Sequence, residues 1–260
     1  MSISSEQVVK VGDYEVPTDL LRLTGCAEEI FESYGAVQFN RFQEQLNIQP
    51  GNTVLEIGCG VGRLAIPATH YLDSSGAYIG MDIIKPSIDW CSAHITARHP
   101  AFQFFAEDVY SQIHNPGGWK RCADVVFPLP NQFVDRVFLS SVFTHMFPAD
   151  VMHYLGEMNR VLKPDGAVLT TMFLLNDLTL AAIAAKKAIF SFDHSMPEWP
   201  QCRFQYPDTP EGAIAYFEET YLHMLYASGF QLKKPIEYGQ WSGVGTPLTD
   251  GQDYVIFGKV

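Results

Sequence analysis

Runs of positive charge are missing from this chain. No block of Lys and Arg exceeds two residues (Lys120-Arg121, Lys186-Lys187, Lys233-Lys234), and 17 basic residues face 29 acidic ones, a formal net charge of −12. A surface this acidic repels phosphate backbones, which argues against nucleic acid as a partner and against a polybasic membrane anchor. Cysteine is sparse: Cys26, Cys59, Cys91, Cys122 and Cys202 stand singly, with no C-x-x-C spacing. That excludes a disulfide framework and a zinc ribbon. Long apolar runs are also lacking. The richest, residues 173–190, is broken by Asn176, Asp177, Lys186 and Lys187, too often to span a bilayer. The opening MSISSEQVVKVGDYEVP has no signal-peptide core, so a cytoplasmic protein is expected. Charged residues make up only 18% against 47% hydrophobic, which rules out a disordered chain and leaves material for a sizeable core.

What is present is a pattern that changes near residue 50. Residues 1–18 read as an irregular arm, and residues 19–46 as two or three short helices broken at Gly25 and Gly35. Together, residues 1–49 form an expected N-terminal arm and helical cap. From there apolar strands alternate with helices: strands at 53–57, 77–81, 102–105, 135–139 and 167–173, with helices after the glycine cluster to about Leu72, at 87–99 and at 149–162. A helix at 214–227 and strands at 230–239 and 253–259 complete the series. Strands apolar throughout and alternating with helices predict an α/β fold, a doubly wound, mostly parallel sheet over residues 50–260. Residues 174–212 form an insertion after strand five. Pro67, one turn into the helix after the glycines, does not fit, because it removes a helical N–H.

The sharpest local signal is Val54-Leu55-Glu56-Ile57-Gly58-Cys59-Gly60-Val61-Gly62-Arg63. Glycines between a strand and a helix let the backbone turn tightly and let a ligand lie against it. The spacing is G-x-G-x-G; a dinucleotide site has its third glycine one place later, which disfavours a nicotinamide oxidoreductase. Glu56 is a charge in an apolar strand, and Asp82 closes the next strand about 20 residues on, where an acid can hold ribose hydroxyls or cap a helix. Asp108 follows the third strand. An acidic lining at the carboxyl ends of three strands suits a nucleoside with a cationic tail.

These pieces, with YIGMDI (78–83), FAEDV (105–109), FVDRVFLSSVFTHM (133–146) and YLGEMNRVLKPDGAVLTTMF (154–173), resemble a class I S-adenosylmethionine-dependent methyltransferase of the small-molecule type. The resemblance covers residues 50 to 175. It implies a Rossmann-like methyltransferase fold of seven strands with the last antiparallel. It also implies S-adenosylmethionine as cofactor. By that resemblance Glu56, Gly58 and Gly60 line the methionine and ribose side, with Cys59 and Gly62 in the same loop. Asp82 takes the ribose hydroxyls with Ile83 beside it. Asp108 and Val109 recognise the adenine edge, and Ser140 and Ser141 sit near the sulfonium. One departure is Lys163-Pro164-Asp165-Gly166 where the family has Lys-Pro-Gly-Gly.

After strand four the chain reads Leu139-Ser140-Ser141-Val142-Phe143. It lacks the Pro-Pro-aromatic stretch of enzymes acting on nucleic-acid amines and the Asp that binds a dication in catechol-type enzymes, so no metal is expected. A small-molecule acceptor is expected in consequence, with hydroxyl oxygen favoured over nitrogen. A hydroxyl needs a general base, and His145 is the candidate; the bland alternative is a histidine packing beside the cofactor. The insertion is expected to form the acceptor pocket and lid, with His194, Trp199, Arg203 and Tyr206 as acceptor-binding candidates. The rival of another class is an S-adenosylmethionine-binding partner subunit without catalysis.

Overall fold

A computed structural model describes residues 7–245 and 250–260. The first six residues of the expected arm lie outside them. The rest of the arm is not irregular: β1 (Val8–Val11) and β2 (Tyr14–Pro17) pair as an antiparallel hairpin across Gly12-Asp13. Gly12 has φ +56°, the left-handed geometry a two-residue hairpin turn requires. Next come α1 (Thr18–Arg22), a 3₁₀ turn at Glu28–Ile30 and α2 (Phe31–Leu46). Gly25, at φ +68°, separates α1 from the 3₁₀ turn, as expected. Gly35 does not break a helix. It lies buried inside α2, where a Cβ would stand 2.5 Å from the Arg63 carbonyl oxygen, so it is a contact glycine. Asn47, left-handed at φ +50°, closes α2.

Next come β3 (Thr53–Ile57), α3 (Ala65–Ala68), β4 (Ala77–Asp82), α4 (Lys85–Cys91) and β5 (Phe102–Ala106). The difficulty at Pro67 resolves because α3 starts late, so Pro67 lies in its first turn, where the N–H has no helical partner to lose. The helix expected at 87–99 is α4 continued by a π-helical turn, Ser92–Thr96. Further on lie β6 (Val134–Leu139), α5 (Pro148–Val161), β7 (Leu162–Met172), β8 (Leu174–Leu175), α6 (Asp177–Ala184), β9 (Cys202–Phe204), β10 (Ile214–Phe217), α7 (Glu218–Ala227), β11 (Phe230–Leu232) and β12 (Asp253–Lys259). Three expectations change here. The Lys163–Gly166 turn lies within β7 as a register break between Val134 and Arg136 of its partner. Residues 214–217 are strand rather than helix, because an apolar run without polar interruption hides the switch of period. The penultimate strand is only three residues long.

Seven strands form one sheet in the order β11-β12-β7-β6-β3-β4-β5, with β12 antiparallel to both its neighbours. This is the doubly wound, mostly parallel sheet expected. By contact the chain divides into two units, Met1–Asp108 and Val109–Val260. In the first, β3, β4 and β5 run parallel, and Val54, Leu55, Tyr78 and Ile79 are among the side chains that fill its core. In the second, β6 and β7 run parallel, and the insertion folds with β10 into a separate sheet of order β8-β10-β9. Phe173, Leu175, Phe192, Ala213, Ala215 and Trp241 are buried together there. Phe192 is buried in this cluster and Phe190 packs against it, so these two rings of the insertion complete a core.

Asp253, fully buried at the start of β12, fastens the insertion. It accepts from the backbone N–H of Leu174 and Gly239, both at 2.7 Å, and from Trp241 Nε1 at 2.9 Å. Burial pushes its carboxyl up to about 7, against the pull of these donors.

Candidate functional site

In the first unit the glycine loop is built by its backbone. Gly58, Gly60 and Gly62 all have positive φ, at +80°, +52° and +83°. The N–H groups of Gly58 and Cys59 both donate to the Met81 carbonyl, at 2.7 and 3.1 Å, which folds the loop across the end of β4. Asp82 then holds it: Oδ2 accepts from Gly60 N at 2.6 Å and Oδ1 from Ile84 N at 2.8 Å. A carboxylate oxygen accepts more than one hydrogen bond, which is what holding a ribose diol as well requires. At Gly62 a Cβ would meet Ile95 Cδ1 at 2.8 Å, so this glycine serves packing. Cys59 is buried, and its Sγ and that of Cys91 each lie 3.7 Å from the Gly60 carbonyl oxygen. The backbone of Cys59 is also engaged, its N–H on the Met81 carbonyl and its carbonyl on Gly62 N at 3.0 Å, so Cys59 shapes the loop.

Glu56 is 2% exposed and accepts a hydrogen bond from the Tyr78 hydroxyl. Burial pushes its carboxyl up to about 8, while the Tyr78 bond and the Arg63 charge oppose the shift. A buried carboxyl beside an open glycine backbone fits the cationic amino group of a methionine moiety, because such a group stabilises the carboxylate that burial disfavours. Arg63 stacks over the Tyr34 ring at 5.1 Å. Ile83 is half-buried, and Asp108 is exposed beyond the end of β5.

In the second unit Val109 is buried and bridges to Lys120. Ser140 and Ser141 follow β6. Ser141 is left-handed at φ +59°, a strained state for a residue with a Cβ, held by a polar ring of side chains. Its N–H donates to Thr171 Oγ1 at 2.7 Å, that hydroxyl donates to Gln252 Oε1 at 2.5 Å, and Gln252 Nε2 donates to Ser141 Oγ at 2.9 Å. Thr144 Oγ1 lies 3.3 Å from Ser141 Oγ. Sequence reasoning missed Thr171 and Gln252: Thr171 sits inside a quoted strand motif with no feature that marks its hydroxyl, and Gln252 is more than 100 positions from Ser141.

His145 ends the short 3₁₀ turn Phe143–His145. Its Nδ1 lies 2.7 Å from the Glu211 backbone carbonyl. A carbonyl only accepts, so Nδ1 carries the proton and Nε2 keeps its lone pair. Burial holds the imidazole below its ordinary value; the Glu211 carbonyl opposes this and His114 adds to it. His114 meets the His145 ring edge-on at 5.3 Å between centroids. The turn Pro210–Gly212, from the end of the insertion, therefore touches the base candidate directly.

The four acceptor candidates of the insertion make separate contacts. Trp199 stacks on Phe147 at 5.4 Å, and Arg203 lies over the Phe217 ring at 5.6 Å. Tyr206 is 45% exposed and packs toward Gly212, while His194 is exposed and pairs through its backbone with Phe204. Among the described residues no group of three or more His, Cys, Asp or Glu side chains is placed to hold a metal ion, and no helix is long and apolar enough to cross a membrane.

Residues 55–170 match the family model described as a methyltransferase domain. The chain is 25% identical over 173 residues to the ubiquinone biosynthesis O-methyltransferase of Bradyrhizobium sp. (strain ORS 278), covering 66% of this chain and 59% of that protein. It is 23% identical over 156 residues to the tRNA N(3)-cytidine methyltransferase METTL2 of Gallus gallus, covering 55% of this chain and 35% of that one. The chain thus spans less than two thirds of either relative. Among solved structures, the 1,6-didemethyltoxoflavin-N1-methyltransferase of Burkholderia thailandensis shares the fold, with a TM-score of 0.56 at 14% identity over 93% of this chain and 85% of that one.

Proposed function

Residues 55–170 are a methyltransferase domain of the class I S-adenosylmethionine-dependent family, and on that premise we propose that the protein methylates a hydroxyl oxygen of a small molecule, with His145 as general base. The single observation that carries this is the 2.7 Å bond from His145 Nδ1 to the Glu211 carbonyl. It fixes the tautomer with a basic Nε2, and burial favours the neutral ring. An amine acceptor would need only desolvation; a fixed, neutral imidazole is the device a hydroxyl acceptor requires.

The cofactor is S-adenosylmethionine, and bound at the glycine loop it supplies an electrophilic methyl group on a sulfonium. Glu56 would neutralise its ammonium and Asp82 would take its ribose hydroxyls. Ser141 and its partners Thr171 and Gln252 would fix the loop after β6, because transfer in line tolerates little displacement of the reacting atoms. The insertion would cover the acceptor, with Trp199, Arg203, Tyr206 and His194 at its surface.

A small-molecule acceptor is supported by the net charge of −12, which opposes the approach of RNA. It is also in keeping with relatives that act in ubiquinone biosynthesis. The test is a panel of hydroxylated and amino compounds, read as release of S-adenosylhomocysteine. Turnover is expected with phenolic or alcoholic members and not with their O-methyl ethers. Turnover confined to amines would overturn the oxygen assignment.

A further inference from the structure

Glu211 makes two sets of contacts in opposite directions. Its backbone carbonyl accepts from His145 Nδ1. Its side chain points to another loop: Oε2 accepts from the Ser111 hydroxyl and from the Gln112 backbone N–H, both at 2.9 Å. That loop is itself braced. Ser111 and Asn115 exchange backbone hydrogen bonds at 3.1 Å, and Asn115 Nδ2 donates to the Val109 carbonyl at 3.0 Å. Gln112 Nε2 adds a longer bond to the Asp208 carbonyl at 3.4 Å. The 210–212 turn is three residues long, too short for its own backbone bonds to fix where one carbonyl points. Its anchor is the Glu211 carboxylate.

We infer that Glu211 is a positioning residue: its carboxylate pins the 210–212 turn to the loop at residues 109–118, and the pinned turn presents the carbonyl that orients the His145 ring. The inference rests on the reading of His145 as the base. It gives the insertion a second task, since the segment that covers the acceptor also sets the tautomer of the group that deprotonates it. Assembly of the base is thereby tied to seating of the turn, as expected where closure completes a catalytic arrangement. The groups facing His145 are His114 from the braced loop and Glu211 from the turn. Asp150 and Cys122 face Glu211 in turn, and the Glu211 charge adds to the rise that burial imposes on both.

Nitrogen NMR of the His145 ring on the full chain, assigned with His145→Gln, tests this without an acceptor. The wild type should show the Nδ1–H tautomer and titrate below the ordinary histidine value, because the ring is buried. Glu211→Gln keeps an oxygen that accepts from both donors, and its ring should be unchanged. Glu211→Ala frees the turn, so the ring should regain water, titrate upward toward its ordinary value and take the Nε2–H tautomer. Loss of the carboxylate charge alone would instead lower the titration in both variants alike. That result, or an unchanged ring in Glu211→Ala with the fold intact by circular dichroism, would overturn the inference. With an acceptor found by the panel, Glu211→Ala should lose about 10²-fold in kcat with cofactor affinity preserved. A reoriented ring with undiminished turnover would leave the positioning in place and remove His145 as the base, so the two failures are distinguishable.

Discussion

Glu56 is the residue at which burial and ligand chemistry oppose each other. Its folded-state value of about 8 lies above that of an ordinary carboxylate. The folded protein therefore holds a proton there in a window where the unfolded chain does not, and that contribution to stability is lost as pH rises through about 8. A cationic group beside Glu56 favours the carboxylate, so cofactor binding below that pH should release a proton, and affinity should rise with pH up to it. Calorimetry in two buffers of different ionisation enthalpy measures the release; Glu56→Gln should abolish it, and no release from the wild type would contradict the assignment. Asp82→Ala should weaken S-adenosylmethionine binding by about 1.5–3 kcal/mol, through lost ribose contacts and a loosened Gly60 N–H. Gly60→Val should be worse, since the backbone is at φ +52° and a Cβ would lie 3.2 Å from Thr24 Cγ2. Unchanged affinity in a folded Gly60→Val protein would reduce the loop to a turn. The glycines were legible in the sequence because positive φ demands glycine, and Asp82 because an acid closing the second strand either meets a ligand or binds the backbone that follows, as it does at Ile84 N. Glu211, Thr171 and Gln252 were not, because their contacts join positions far apart in the chain through residue types that carry no pattern of their own.

At the scale of elements, the insertion divides into an inner and an outer part. Phe173, Phe192 and Trp241 pack at centroid distances of 5.3 to 5.4 Å. Phe192→Ala should cost about 3–5 kcal/mol of stability, measured by denaturant unfolding, because the cavity it leaves is fully enclosed. Trp199→Ala removes a ring that stacks on Phe147 outside that cluster. It should change the KM for the acceptor and leave cofactor affinity unchanged; an equal loss of cofactor affinity would place Trp199 elsewhere in the mechanism. β3, β4 and β5 were readable because each is a short, mostly apolar run bounded by turn residues, whereas β7 begins five residues before its apolar run and β11 is only three residues long. The hairpin at 8–17 was missed although its signal was present: alternating Val11, Tyr14 and Val16 around Gly12-Asp13. The β10–α7 junction was missed because apolar residues run unbroken from Ile214 to Phe217, and periodicity alone does not separate a buried strand from a helix there.

For the whole molecule, the net charge of −12 bears on the acceptor. Turnover should persist in EDTA, since the proposed base is an imidazole oriented by a carbonyl; loss of activity on chelation, restored by Mg²⁺ with the fold intact, would contradict this. The sequence made the fold and the cofactor class legible, because glycine spacing and the strand-end acids are local. It did not reveal how the His145 ring is oriented, because its Nδ1 partner is the Glu211 carbonyl at the end of the insertion. The account as a whole is tested most directly by supplying the protein with methyl-labelled S-adenosylmethionine and a cell extract separated into small-molecule and RNA fractions, beside His145→Ala. The account predicts label in an O-methyl group of the small-molecule fraction, lost by about 10²-fold or more in His145→Ala while that variant still binds the cofactor. Label in the RNA fraction, or equal labelling by both proteins, would contradict it.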